Sequence, residues 1–223
     1  MRFFFMLTAL MLVAVSAQAG GDVEIDRIDR SFELTSQQEL EITVDVGEVR
    51  IDGVSGDRVE LEVRVFCERR DRRCEREAEK LRVEIDDRGS LVQVKVRRRA
   101  HDNDGDIKLG DDAPDVEVYA RVPRNHELEV EMGVGDLEVA GMENDQRVEL
   151  GVGAAVIRID EDTVATVDVE VGVGDADLSP RPRGTDSSGF FFLGNEVSWT
   201  RGPGDAHVEV EVGVGEGEVV LVD

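Results

Sequence analysis

The sequence predicts an all-β protein: a β-solenoid or β-helix-like stack of coils roughly 20 residues long, with one short helix near residues 70–81. Three observations carry that prediction. Valine-like residues alternate with charged ones almost throughout, a Gly-Val-Gly motif recurs four times in the second half, and the phase of the alternation flips at each recurrence.

Alternation with a period of two places successive side chains on opposite faces of a strand. Leu40, Ile42, Val44 and Val46 share one face, as do Val59, Leu61, Val63 and Val65. The same holds for Leu91 (with Val92 opposite), Val94 and Val96, and for Val116, Val118 and Ala120.

The repeats read VEMGVGDLEV (130–139), VELGVGAAVI (148–157), VEVGVGDADL (169–178) and VEVGVGEGEV (210–219). Their second glycines are Gly135, Gly153, Gly174 and Gly215, at spacings of 18, 21 and 41. Gly194 divides the last gap into 20 and 21, which predicts a degenerate fifth coil there. A fixed period of this length is the signature of a repeat array whose units bury their apolar faces by stacking.

At each motif the apolar parity changes. Leu128, Val130, Met132 and Val134 precede Gly135 at even positions, and Leu137 and Val139 follow it at odd ones. A slip of one residue moves every side chain to the opposite face, so a chain that keeps its valines inside must bend at the glycine, the residue that tolerates such a backbone. Gly47 in VDVGEVRI (44–51) carries the same flip.

Cys67 and Cys74 lie seven residues apart in FCERRDRRC. On one continuous helix they would be about 10 Å apart along the axis, beyond disulfide reach. A bridge between them therefore requires Cys67 to end a strand (59–66) and Cys74 to sit on a helix (74–81), and pairing is the expected state in an exported protein.

Export is expected from the first residues. Arg2, an apolar run from Phe3 to Val15 and the small residues Ala17 and Ala19 form a secretory signal over residues 1–19. The run is shorter than the ~20 residues of a spanning helix, so no stable membrane insertion is expected after cleavage. What remains divides into an N-terminal β region with a short helix (20–122) and a repeat region (123–223), read as one continuous domain over 20–223. The compartment expected is periplasmic, or secreted or cell-surface.

The chain carries 51 acidic and 26 basic side chains, a formal net charge of −25, with Lys80, Lys95 and Lys108 its only lysines. Phosphate backbones repel such a polyanion, which argues against nucleic acid as a partner. Aligning the glycines also aligns Glu131, Glu149, Glu170 and Glu211, and beside them Glu129, Arg147, Asp168 and Glu209. Like charges on rungs about 4.8 Å apart destabilise a sheet, so either the glutamates splay apart as an ordinary solvated face, or sodium, weakly held calcium or magnesium, or a basic partner softens the ladder. No dedicated cofactor is implied.

Catalytic signals are thin. The Gly-Val-Gly-Asp corners are followed by strands, whereas a dinucleotide fingerprint opens a helix. HDNDGDIKLGDD (101–112) gathers Asp102, Asp104, Asp106, Asp111 and Asp112, but its glycine is misplaced for a calcium loop and no closing glutamate follows. His101, His126 and His207 fall in separate segments, and no serine sits in a nucleophile elbow. A non-enzyme is expected. Phe190, Phe191, Phe192 and Trp199 cluster in the degenerate coil, where packing of Phe192, Val197 and Trp199 is the expected role and 179–189 the exposed part.

The run VEVYARVPRNHELEVEMGVGDLEV (116–139), the repeated corners and the closing GEGEVVLVD resemble the bacterial exported "putative adhesin" family, a β-solenoid domain of unknown function. The likeness spans roughly residues 32–223, and the helix around the cysteines and the acidic ladder are departures from the pattern. The resemblance implies a non-catalytic envelope structural or adhesin-like binding protein, with a protein or glycan of the envelope as partner. Two alternatives are a periplasmic regulatory partner in envelope-stress signalling and a divalent-ion-dependent solenoid enzyme on acidic polysaccharide. The strand VVLVD ends without an evident cap, which would allow end-to-end self-association.

Overall fold

A computed structural model describes residues 22–68, 71–98, 113–190, 193–200 and 202–222. The β-pattern stretches form strands β1 (Val23–Glu33), β2 (Glu39–Val54), β3 (Arg58–Cys67), β4 (Leu81–Asp87), β5 (Leu91–Arg98), β6 (Asp115–Pro123), β7 (Leu128–Ala140), β8 (Gln146–Asp160), β9 (Val164–Ser179), β10 (Asp186–Phe190), β11 (Leu193–Trp199) and β12 (Ala206–Val222). Helix α1 (Arg72–Ala78) lies between β3 and β4, and the short 3-10 turn Glu161–Thr163 between β8 and β9. All the strands belong to one sheet, ordered β1-β3-β6-β2-β7-β8-β12-β9-β11-β10, with β5 paired to β2 and β4 paired to β5.

The five long strands β2, β7, β8, β9 and β12 are bent, and the hinge glycines Gly47, Gly135, Gly153, Gly215 and Gly174 lie in register across them. Each hinge has positive φ, between 138° and 153°, where an L side chain is strained. The bend gives every strand two arms, and the arms form two walls around a shared aliphatic interior. In β7, Leu128, Val130 and Met132 are buried before the hinge and Leu137 and Val139 after it. The walls meet tightly: a Cβ on Gly217, in the second arm of β12, would stand 2.9 Å from Val169 Cγ1 in the first arm of β9. The row at that level reads Val49, Leu137, Ala155, Gly217 and Ala176, and its residues are small on β8, β12 and β9, where the arms converge.

The N-terminal strands extend both walls. The first arm of β2 pairs with β5 (Glu39↔Leu91 to Val44↔Val96) and its second arm with β6 (Glu48↔Glu117 to Val54↔Pro123). Thus β5 and β6 are the two arms of one further rung, joined by a connection that includes residues 99–112 instead of a glycine hinge. Strands β4 and β3 flank them antiparallel and form another rung, in which α1 replaces the hinge. Asp71 caps α1 by accepting from the backbone N–H groups of Arg73 and Cys74 at 2.8 and 3.2 Å. Cys67 and Cys74 form a disulfide with their Cα atoms 5.9 Å apart, one at a strand end and the other on the helix.

The structure corrects several expectations. The bent strands do not stack in chain order, because β12 lies between β8 and β9. The repeats carry nearly identical outward and inward faces, so their pattern holds no information about which neighbours which. The three-residue link from β8 to β9 is long enough to cross a two-rung step of about 9.6 Å. The degenerate coil at Gly194 is instead an antiparallel hairpin of β10 and β11 added to β9. Gly194 is the extra residue of a bulge in β11, where the register shifts between Gly189↔Asn195 and Phe190↔Leu193, and its φ is 66°. The helix is shorter than 70–81, since Leu81 already begins β4. Val134, Val152, Val173 and Val214, expected inside, stand on the outside of the bend, where Val152, Val173 and Val214 are 45–46% exposed.

Candidate binding face

The first arms project two rows of side chains outward, because alternate residues of a strand face away from the core. One row reads Glu131, Glu149, Glu211, Glu170 and Glu196 across β7, β8, β12, β9 and β11. The second reads Glu41, Glu129, Arg147, Glu209 and Asp168 across β2, β7, β8, β12 and β9. Nine carboxylates thus share a patch with a single cation. Arg147 reaches three of them, Glu149 at 3.1 Å, Glu209 at 3.2 Å and Glu211 at 3.5 Å.

The crowding shows in the acid–base chemistry. Partial burial pushes the carboxyl of Glu129 above its usual range, and the charges of Glu41 and Glu131 add to the effect. Asp168 is raised by burial and then by Glu196 and Glu209. Burial also raises Glu211, with Arg147 opposing and Glu149, Glu209 and Glu170 reinforcing. Gln93, on β5, continues the second row and donates from Nε2 to Glu41 Oε1.

Beside the first row runs a groove of about 730 Å³ that crosses the strands and is lined by Glu131, Glu149, Glu170 and Glu211 and by Gly133, Gly151, Gly172 and Gly213. These are the first glycines of the four Gly-Val-Gly motifs. Each lies against a neighbour's backbone: a Cβ on Gly151 would come within 2.5 Å of Gly133 O, and one on Gly213 within 2.6 Å of Gly151 O. Close rung packing therefore keeps the floor free of side chains. β2 has Asp45 at the equivalent position, and no strand pairs beyond it, since β5 stops opposite Val44 and β6 begins opposite Glu48.

The second wall differs in charge. Several of its outward residues pair off, Arg50 with Glu48 at 3.0 Å, Arg158 with Glu138 at 3.0 Å and Arg121 with Glu60 at 3.0 Å, while Asp136, Glu216 and Asp175 stand in register just beyond the hinge. Arg64 lies 5.1 Å over the ring of Tyr119.

The other candidate residues do not converge. The aspartates of 101–112 and His101 lie outside the described residues, as do Phe191, Phe192 and the side chain of Phe190. His126 is buried, its Nδ1–H donating to Gln38 O at 2.8 Å. His207 Nδ1 lies 2.7 Å from Thr166 Oγ1. Val197 and Trp199 are buried. No group of three or more His, Cys, Asp or Glu among the described residues is placed to hold a metal ion, and no helix among them is long and apolar enough to cross a membrane. Glu196 was missed as part of the ladder. Counting back from Gly194 as a fifth repeat points to Phe190 at that place, whereas the hairpin brings Glu196 opposite Glu170.

The chain is similar in fold to a putative cell adhesion protein from Clostridium sporogenes, with a TM-score of 0.56 at 14% identity over 88% of this chain and 99% of that one. Putative adhesins from Parabacteroides distasonis (TM-score 0.28, 9% identity, 88% and 97% covered) and Parabacteroides merdae (TM-score 0.25, 9% identity, 89% and 97% covered) are more distant. No match was found among curated protein sequences. The N-terminal domain of toast_rack, DUF2154, matches residues 16–179, well over half of the sequence. The chain belongs to the toast-rack N-terminal domain family.

Proposed function

We propose that the mature chain, residues 20–223, is an exported, non-catalytic, adhesin-like binding protein of the cell envelope, and that the acidic outer face of its first wall engages a cationic partner. The bent strands act in this reading as a solenoid-like scaffold that repeats one surface at every rung, and the pairing of β2 with β7 joins the N-terminal rungs to the repeats. One observation carries the proposal: Glu131, Glu149, Glu211, Glu170 and Glu196 stand in register on five adjacent strands. Holding like charges one rung apart costs stability, and a basic partner would recover it. Likeness in fold to the Clostridium sporogenes putative cell adhesion protein supports the adhesive part of the reading, and the N-terminal apolar run supports export.

Binding of the mature protein to isolated envelope fractions tests the proposal. Retention is expected to fall steeply between 50 and 500 mM salt, as it does for charge-dominated association, and to be competed by oligolysine. Retention that is indifferent to both would refute it.

A further inference from the structure

We infer that the outside of the bend is a docking ridge for a cationic amphipathic segment of another protein, an inference that rests on the acidic-face reading above and names what the partner must add to positive charge. The middle residue of each Gly-Val-Gly motif, with Val46 of β2, forms a row: Val46, Val134, Val152, Val214 and Val173 pair in register across five strands. With rungs about 4.8 Å apart the row is roughly 19 Å long. Val152, Val214 and Val173 are the three most exposed large apolar residues among those described. Folding does not require a hydrocarbon there. The bend turns this position toward solvent, and threonine would serve strand geometry equally well, yet valine recurs on all five rungs.

The surroundings select the occupant. Three residues before the row stand Glu131, Glu149, Glu211 and Glu170; two residues after it stand Asp136, Glu216 and Asp175. An apolar ridge between two acidic rows complements a segment whose apolar side chains are flanked on both sides by lysine or arginine. A second copy of this chain would bring carboxylate rows together at a net charge of −25 per molecule, and an anionic lipid surface would meet the same repulsion.

The test uses the mature protein with two probes, a Leu/Lys amphipathic peptide and an oligolysine of equal charge, read by fluorescence anisotropy at low salt. The amphipathic peptide is expected to bind about tenfold more tightly. V152T/V173T/V214T is expected to lower its affinity to that of oligolysine while leaving oligolysine binding unchanged. V173T alone, the mildest change, should reduce the preference about twofold to threefold, which keeps the test open if the triple variant does not fold. Equal affinity of the two probes for the parent protein, or a preference that survives the valine substitutions, would overturn the ridge and leave the acidic-face reading standing. If neither probe binds, both fall.

Discussion

Gly153 packs so closely on Gly135 that a Cβ on Gly153 would overlap the Gly135 carbonyl oxygen. Gly215 stands in the same relation to Gly153, and Gly174 to Gly215. The hinge column is thus a run of backbone-on-backbone contacts in which positive φ and absence of a side chain are both needed.

Gly153→Ala is expected to destabilise the fold by at least about 3 kcal/mol, combining backbone strain with a displaced rung. Gly89→Ala is the control. Gly89 also has positive φ, at 88°, but nothing lies within 4 Å of its would-be Cβ, so about 1 kcal/mol is expected. Urea unfolding of the two variants separates steric displacement from strain.

Arg147 is the one cation standing between the nine carboxylates of the two rows, Lys95 lying two strands beyond Glu131. Arg147→Gln is expected to lower the melting temperature at low salt by a few degrees, and the loss should shrink in 0.5 M sodium chloride, since exposed pairs are screened. The parent protein should itself melt higher as salt rises. Calcium acting at far lower concentration than sodium would reveal discrete sites.

Glu129, Asp168 and Glu211 have raised carboxyl pKa values, burial being the largest cause in each. A carboxyl whose folded pKa exceeds its unfolded value of about 4 binds its proton more readily in the native state. Stability therefore falls as pH rises through that window toward neutrality. Glu24 and Glu62 act oppositely. Hydrogen bonds from Arg27 and Arg64 hold them low, so the stability they contribute is lost as pH falls below the ordinary carboxylate range. Thermal unfolding is expected to show a maximum on the mildly acidic side, and Glu129→Gln should flatten the decline toward pH 7.

The disulfide between Cys67 and Cys74 closes a short loop at the start of α1. Loop-entropy reasoning assigns it about 2.5 kcal/mol. Reductant should lower the denaturation midpoint of the parent protein accordingly, and C67S/C74S should start from the lower value and not respond.

Much of this architecture was legible because a parity flip at a glycine has one physical meaning, a bend that keeps valines inside. The acidic rows followed from the same alignment. Rung order was not legible, since strands with the same faces and hinge can pair in any sequence; only the coordinates place β12 beside β8. The two N-terminal rungs were hidden for a related reason: where α1 or the connection through 99–112 replaces the hinge glycine, the arms read as separate strands. Parity does not reveal the outward valines, because it loses its meaning at the bend, where Val134, Val152, Val173 and Val214 lie between two glycines.

The face of the molecule that meets its partner is the central claim, and comparing the walls tests it most directly. Two variants of equal charge change, E131Q/E149Q/E170Q/E211Q on the first wall and E48Q/E60Q/E62Q/E138Q on the second, would be compared for retention on isolated envelope fractions. The account predicts that the first set abolishes retention and the second leaves it near the parent level. Equal losses, or a loss confined to the second set, would contradict it.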